Sequence, residues 1–481
     1  MYLRHLYPAP RSFNEDQSRR YTFGAKVTAA ISGLDANQTD RVRYLWRRFS
    51  CDASELDVIP ASDGFSLTIG SAAGEPSDAD SYALYAGEAG VRIAAKDAQS
   101  LMNGVATLAQ LICPIELSEG NEAFYISAAE VHDSPAVGFR GVHLCVFPDS
   151  ELSSLEKAIH LSGFLKLTHV ILEFWGTFRY ECLPELSWKN HSYTADQLKP
   201  LIRLANSYGM EVIPMVNHLG HATQSRSCYG RHVTLNANPR LSKLFEPDGW
   251  TWCQSNPDTY KLLSDMRAEL CELCGSGGYF HIGCDEAYSF ATCDKCREHE
   301  PQELLVSYLN RLTEDICKTG RRPIMWHDEL IRGEDFDSDP DNGIIVANGQ
   351  NHNTYKAIDR LDRRMIIADW QYYYKNGKNP TTPYFMEKGF DTLVCPWDNS
   401  ENVRSLAENA KKLGALGIML TTWDHLPTYN SRATRFAACA WSESCAMPIF
   451  SDTEQACLLR RLYDADGDYE RSGWHIWEVL E

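Results

Sequence analysis

From about residue 139 onward the chain repeats one pattern: a short, almost wholly apolar run, a polar break, then a longer stretch with apolar positions every three or four residues. Such runs read as strands buried on both faces and such stretches as amphipathic helices, so their alternation predicts βα units around a parallel sheet. The expected strands are FRGVHLCV (139–146), HVILEFW (169–175), EVIPMVN (211–217), YFHIGC (279–284), RPIMWH (322–327), RMIIADW (364–370), DTLVCPW (391–397) and LGIMLTTW (416–423). Eight parallel strands are the number that closes a (β/α)8 TIM barrel. Between and after them, SSLEKAIHLSGFLKL, NPDTYKLLSDMRAELCELC, PQELLVSYLNRLTEDICK, SENVRSLAENAKKLG and SRATRFAACAWSE carry helical periodicity. A ninth strand-like run, GIIVANG (343–349), is left out of the barrel because it would leave only the short NTYKAIDRLD as a crossover helix.

The leading region has a different rhythm. GFSLTIG, SYALYAG and GVRIAAK alternate as strands do, and DAQSLMNGVATLAQLI follows as a helix, which predicts a small α+β domain over residues 1–132 ahead of a barrel over 133–481.

Composition changes this picture little. With 44% hydrophobic and 23% charged residues over 481 positions, the chain is an ordinary globular one. Its net charge of −19, from 65 acids and 46 bases, leaves no basic stripe for a phosphate backbone, so nucleic acid and anionic membrane are not expected as partners. MYLRHLYPAPRSFNED lacks the apolar stretch of a secretory signal, and no run approaches the roughly 18 apolar residues of a spanning helix, so a cytoplasmic location is expected. The 16 cysteines lie largely in core-like segments such as GVHLCV and DTLVCP and are expected to be reduced thiols.

Chemistry in such a barrel sits where the strands end. Trp175, Asn217 with the following HLGH, Asp285 with Glu286, Trp326 with Asp328, Trp370, Trp397 with Asp398, and Trp423 with Asp424 all occupy that edge. One terminal tryptophan is more often packing than ligand platform. Several at one end suit a sugar, whose C–H faces stack on indoles while carboxylates accept bonds from its hydroxyls. Asp285 and Glu286 either serve as a cap and a solvated acid, or converge on a ligand just past the strand end.

HIGCDE also resembles the His-x-Gly-x-Asp-Glu motif of family 20 glycoside hydrolases, the exo-β-N-acetylhexosaminidases. FRGVHL looks like that family's first strand, IPMVNHLGHA its third, IMWHDE its fifth and LTTWDH its eighth. The leading region looks like the family's small α+β domain. The resemblance implies sugar-hydroxyl contacts from Arg140, an active-site role for His221, an acetamido pocket built with Trp326 and Trp370, Trp423 beneath the sugar, and Asp398 as the seventh-strand acid. Asn217 stands where the family has aspartate, Leu219 where it has proline, and LEFWGTF where it has an aspartate-rich segment. His425 matches the acid after the eighth-strand tryptophan. These departures bear on sugar preference more than on reaction type.

The implied reaction is retaining hydrolysis of a terminal, non-reducing β-linked N-acetylhexosamine in a small carbohydrate substrate, with the substrate's 2-acetamido oxygen as nucleophile. Glu286 would be the general acid and base, a role that needs a raised pKa, and Asp285 would orient the acetamido N–H. No cofactor is expected. The alternatives are a metal-dependent barrel hydrolase using His218, His221, Asp285 and Glu286, or a sugar-binding barrel without catalysis.

CELC (Cys271, Cys274) and CDKC (Cys293, Cys296) have zinc-ribbon spacing. They should lie at opposite ends of a strand about 20 Å long, too far apart for one tetrahedral site. No metal is therefore expected, with a smaller set of Cys293, Cys296 and His299, joined by Cys228, as the alternative.

Overall fold

The computed structural model describes residues 6–59, 67–70, 76, 81–115, 123–222, 233–336, 344–375, 379–423, 426, 429–445 and 458–463. The leading domain is a mixed sheet of β1 (Ser12–Phe23), β2 (Lys26–Ile31), β3 (Glu55–Val58), β4 (Leu67–Gly70), β5 (Tyr82–Gly87), β6 (Gly90–Ala95), β7 (Cys113–Ile115) and β8 (Ala123–Asp133). Their order is β1-β8-β5-β6-β4-β2-β3, with β7 paired to β8. Two helices cover it, α1 (Ala36–Phe49) and α2 (Ala98–Leu111). Asp35 and Gln38 form a reciprocal capping box at the start of α1, and Asp97 caps α2, so each helix begins where a side chain replaces a missing backbone partner. The expected strands and helix of this domain are present, apart from residues 64–66 of GFSLTIG, which lie outside the described residues.

The second unit is the closed parallel barrel. Its strands are β9 (Phe139–Val146), β10 (His169–Phe174), β11 (Glu211–Met215), β12 (Tyr279–His281), β13 (Arg322–Trp326), β14 (Ile366–Asp369), β15 (Asp391–Val394) and β16 (Gly417–Thr422), and β16 pairs with β9 to close the ring. Around it lie α3 (Leu152–Phe164), α4 (Ala195–Ser207), α5 (Val233–Ala237), α6 (Pro257–Cys274), α7 (Pro301–Cys317), α8 (Thr381–Glu387), α9 (Ser400–Leu413) and α10 (Tyr429–Trp441). Punctuation is local: Asn256 caps α6 just before Pro257, and Asn399 opens α9 while left-handed Gly414 closes it. The 344–348 segment is not a strand, in keeping with its omission from the barrel.

Two-residue periodicity decides what faces the barrel axis. Phe139, Ile171, Ile213, Met215, Ile324, Trp326, Ile366, Ala368, Leu393, Cys395 and Met419 form one enclosed cluster inside the ring, while their strand neighbours pack outward against helices. Positions of the same parity further along each strand therefore point into the mouth.

The two units share a continuous core and a buried ion pair. Asp133 Oδ2 accepts from Lys166 Nζ at 3.0 Å and from the Tyr82 hydroxyl at 2.8 Å, and Asp133 Oδ1 takes the Trp441 indole N–H at 3.0 Å. Both charged side chains are fully buried. Removing the acid leaves an ammonium stranded in the interior, so Asp133→Ala is expected to destabilise the fold by about 3–5 kcal/mol. Urea denaturation checks this; a loss under about 1 kcal/mol would contradict it.

Candidate active site

Beyond the three residues of β12 the backbone leaves strand geometry. Gly283, Cys284 and Glu286 take φ values of +63°, +75° and +47°. Left-handed conformation at two non-glycine residues is costly and persists only where neighbours enforce it. Here the end of β13 does so: Asp328 Oδ2 accepts the Glu286 backbone N–H and Glu329 Oε1 the Ala287 N–H, each at 2.9 Å. The Trp250 indole donates to the Glu286 carbonyl at 2.6 Å. Asp328 is in turn held by Asn348 Nδ2 at 2.7 Å and the Trp370 indole at 3.3 Å. Burial, and then the charge of Asp328, push Glu329 up to about 8.

Two glycines make this turn possible. A Cβ on Gly283 would fall 1.7 Å from Asn217 Oδ1, and one on Gly220 would fall 2.0 Å from the Asp285 carbonyl oxygen. The HLGH segment after β11 and the HIGCDE segment after β12 thus touch through their backbones.

That contact delivers His221 between the two acids. Its Nε2 lies 3.2 Å from Asp285 Oδ2 and 3.2 Å from Glu286 Oε2. Burial alone would lower the imidazole, but the two carboxylates reverse this and raise it to about 10. Asp285, buried, is raised to about 6 by loss of solvent, against the pull of His221 and with the repulsion of Asp328 and Glu173. Glu286 goes the other way: its partial burial pushes up, yet the bond and charge of His221 bring it below its ordinary range. The raised Glu286 pKa expected for a general acid is thus absent here, because the proton resides on the neighbouring imidazole.

Below this trio lies a second polar layer, missed in the sequence. His143 Nε2 and Glu173 Oε2 are 2.8 Å apart, and Asn217 Nδ2 donates to Glu173 Oε1 at 2.7 Å, all three side chains being buried. Burial pushes Glu173 up, and its bonds and charges from His143, His221 and Asn217 carry it below the usual carboxylate range. Cys145 adds a third ligand-type atom near His143 and Glu173, but those two already satisfy each other. Parity was the available signal, since His143 and Glu173 share the inward phase of Phe139 and Ile171.

The tryptophans sort into floor and wall. Trp326 is fully buried, packed on His281, His143 and Trp423 at ring separations of 4.4, 5.5 and 5.9 Å, so it is floor rather than an open pocket face. Trp175 is buried behind His221. Trp370, Trp397 and Trp423 are half-buried around Tyr372, whose oxygen accepts the Trp423 indole N–H at 2.6 Å. Burial drives the Tyr372 hydroxyl far above its ordinary range, so it stays protonated.

Two of the expected ligands, Arg140 and His218, are not brought to this site. Arg140 follows inward-facing Phe139, so it points out of the barrel: it is fully buried at the start of β9, donates to the carbonyls of Lys166, Val137 and Gly138, and lies 5.1 Å over the Trp441 ring. It cannot grip a sugar from there. Asp398 is exposed beyond β15, directly after the half-buried Trp397. His218, proposed with His221 as a metal ligand, is buried with its Nδ1 on Val216 O and its Nε2 taken by Arg267 at 2.9 Å, which breaks up that set. Asp424 and His425 lie outside the described residues.

The family profile described as glycosyl hydrolase family 20, catalytic domain, matches residues 170–450. The chain belongs to this family. The profile for glycosyl hydrolase family 20, domain 2, matches residues 4–134, the region of the leading sheet. Among curated relatives, a beta-hexosaminidase of Porphyromonas gingivalis is 24% identical over 391 residues, 73% of this chain and 49% of the relative. A beta-hexosaminidase subunit beta of Entamoeba histolytica is 23% identical over 379 residues, 72% of this chain and 64% of the relative. The chain thus spans about half to two thirds of the length of these relatives. In fold, it resembles beta-N-acetylhexosaminidase of Bacteroides fragilis with a TM-score of 0.72 at 15% identity, covering 98% of this chain and 97% of that one. The exo beta-N-acetylglucosaminidase of Vibrio harveyi, solved with N-acetylglucosamine, gives 0.71 at 16% identity, covering 95% and 77%.

Proposed function

We propose that this glycosyl hydrolase is an exo-acting, retaining β-N-acetylhexosaminidase that removes terminal β-linked GlcNAc or GalNAc by substrate-assisted catalysis. The observation that carries the reading is the Asp285–His221–Glu286 trio at the mouth of a tryptophan-walled barrel. Family 20 glycosidases are substrate-assisted exceptions to the two-carboxylate scheme, and membership of that family supports reading the nucleophile as the substrate's own acetamido oxygen.

In this mechanism the acetamido carbonyl oxygen attacks C1 as the C1–O bond to the leaving group breaks, giving an oxazolinium ion. Asp285, largely ionised at neutral pH, accepts the amide N–H and stabilises the growing positive charge. Tyr372 offers its hydroxyl to the acetamido oxygen and aligns it. Glu286 protonates the leaving oxygen, then removes a proton from the water that opens the oxazolinium ring with retention at C1. The proton it needs sits on His221, one hydrogen bond away, and a sugar covering the half-exposed Glu286 displaces water and favours transfer onto the carboxylate.

Purified protein should cleave aryl β-N-acetylglucosaminide and leave the matching β-glucoside, which lacks the acetamido group, uncleaved; equal rates would overturn the reading. Paired β-GlcNAc and β-GalNAc substrates then establish sugar preference. A reducing, cytoplasmic setting is part of the proposal, supported by free thiols throughout the core, among them Cys145, Cys284 and Cys395.

A further inference from the structure

The sequence alternative for a metal site joined Cys293 and Cys296 to His299 and Cys228. His299 is exposed and is not part of the cysteines' cluster, and Cys228 lies outside the described residues. Cys271 and Cys274 are likewise not part of it. In their place the fold brings up Cys253 and Glu246, two residues that no spacing rule singles out.

The sulfur of Cys253 lies 3.5 Å from that of Cys293 and 3.7 Å from that of Cys296. A tetrahedral zinc with Zn–S near 2.3 Å places its sulfurs about 3.8 Å apart, whereas a disulfide requires about 2.05 Å. Glu246 completes the group, its donor atom within 4.8 Å of all three sulfurs. Its carboxylate is 1% exposed and asymmetric in its bonding. Oε2 accepts the backbone N–H groups of Thr292 and Cys293 at 2.9 and 2.5 Å, while Oε1 is buried without a hydrogen-bond partner. One oxygen is thus fixed by the protein, and the other is left buried and unsatisfied on a carboxylate that reaches the three sulfurs. An orphaned carboxylate oxygen in the interior is costly, and a cation is the partner that removes the cost.

The backbone is shaped for the same purpose. Phe245 and Trp252 form an antiparallel bridge, so the loop between them closes on itself and sets Glu246 and Cys253 side by side. Across the site the Cys296 N–H points to Cys293 Sγ at 3.4 Å and the Arg297 N–H bonds the Cys293 carbonyl, a turn that brings the two thiols together.

We propose that Cys253, Cys293, Cys296 and Glu246 bind one structural zinc ion. Thiolate donors select a soft, tetrahedral metal over magnesium or calcium. Three deprotonated thiols and a carboxylate leave no open position, so the ion takes no part in hydrolysis. Its place in the fold gives its role. It joins the base of the loop carrying Trp250, which holds the Glu286 carbonyl, to the segment that runs on from Glu286 itself.

Metal analysis of the full chain, purified without chelator or metal-affinity tag, should find one zinc per chain. Cys253→Ser and Cys296→Ser should lose it and Cys271→Ser should keep it. Should those variants fail to fold, cobalt exchange into the wild-type chain supplies an independent reading: thiolate-to-cobalt charge-transfer bands and intense tetrahedral visible bands are expected. Wild-type protein with no stoichiometric zinc and no such cobalt spectrum, or with Cys253 and Cys293 joined as a disulfide by mass spectrometry, would overturn the proposal.

Discussion

Glu286→Gln is expected to lower kcat/KM on natural oligosaccharides by about 10²–10⁴-fold, the usual worth of a positioned proton donor. Glutamine keeps the size of the side chain and loses the proton that the leaving alcohol requires. An aryl glycoside with a strongly acidic phenol needs no such proton, so its kcat/KM, which reports bond cleavage, should fall far less. Its kcat should still drop, because opening the oxazolinium ring requires Glu286 as base. Steady-state rates on the two substrate types, with retained binding of a stable oxazoline mimic as the folding control, check this. Equal losses of kcat/KM on both would mean that Glu286 does not protonate the leaving group.

Asp285→Asn should lower kcat by about 10²–10³-fold, the scale found when one electrostatic stabiliser of a transition-state charge is removed. Its carboxylate is raised to about 6 by burial, partly offset by His221. A protonated Asp285 neither accepts the amide N–H as a charged partner nor steadies the oxazolinium ion, so wild-type kcat/KM is lost as pH falls through about 6 and is retained above it. The asparagine variant cannot titrate, and its residual activity should lack this acidic limb. A pH profile of both proteins checks the assignment; an unchanged limb in the variant would place that ionisation elsewhere.

The barrel was legible because its strands are buried on both faces and therefore read as continuous apolar runs, and the helices between them keep their period. β1 was not legible: its first nine residues, SFNEDQSRR, are exposed and polar, and its pairing slips between Asp16 and Arg20. The acids at the end of β12 were legible because catalytic groups gather at that edge. What sequence could not supply was their relation. Adjacent residues of a strand face opposite ways, and only left-handed Cys284 and Glu286, held by Asp328, Glu329 and Trp250, turn both acids toward His221. The implied role of Arg140 failed on parity, which the chain itself carried: Phe139 faces inward, so its neighbour faces out and His143 faces in. Glu246 and Cys253 were hidden for another reason, since a loop that closes on itself leaves no regular spacing to read.

At the centre of the proposed mechanism, the nucleophile belongs to the substrate. Aryl β-N-acetylglucosaminides whose acetyl group carries none, one, two or three fluorines differ in the electron density of the carbonyl oxygen and little in shape. The mechanism predicts that log(kcat/KM) falls steeply and regularly with each fluorine, as the attacking oxygen is weakened. A series that leaves kcat/KM unchanged would show that this oxygen does not attack C1, and would contradict the account.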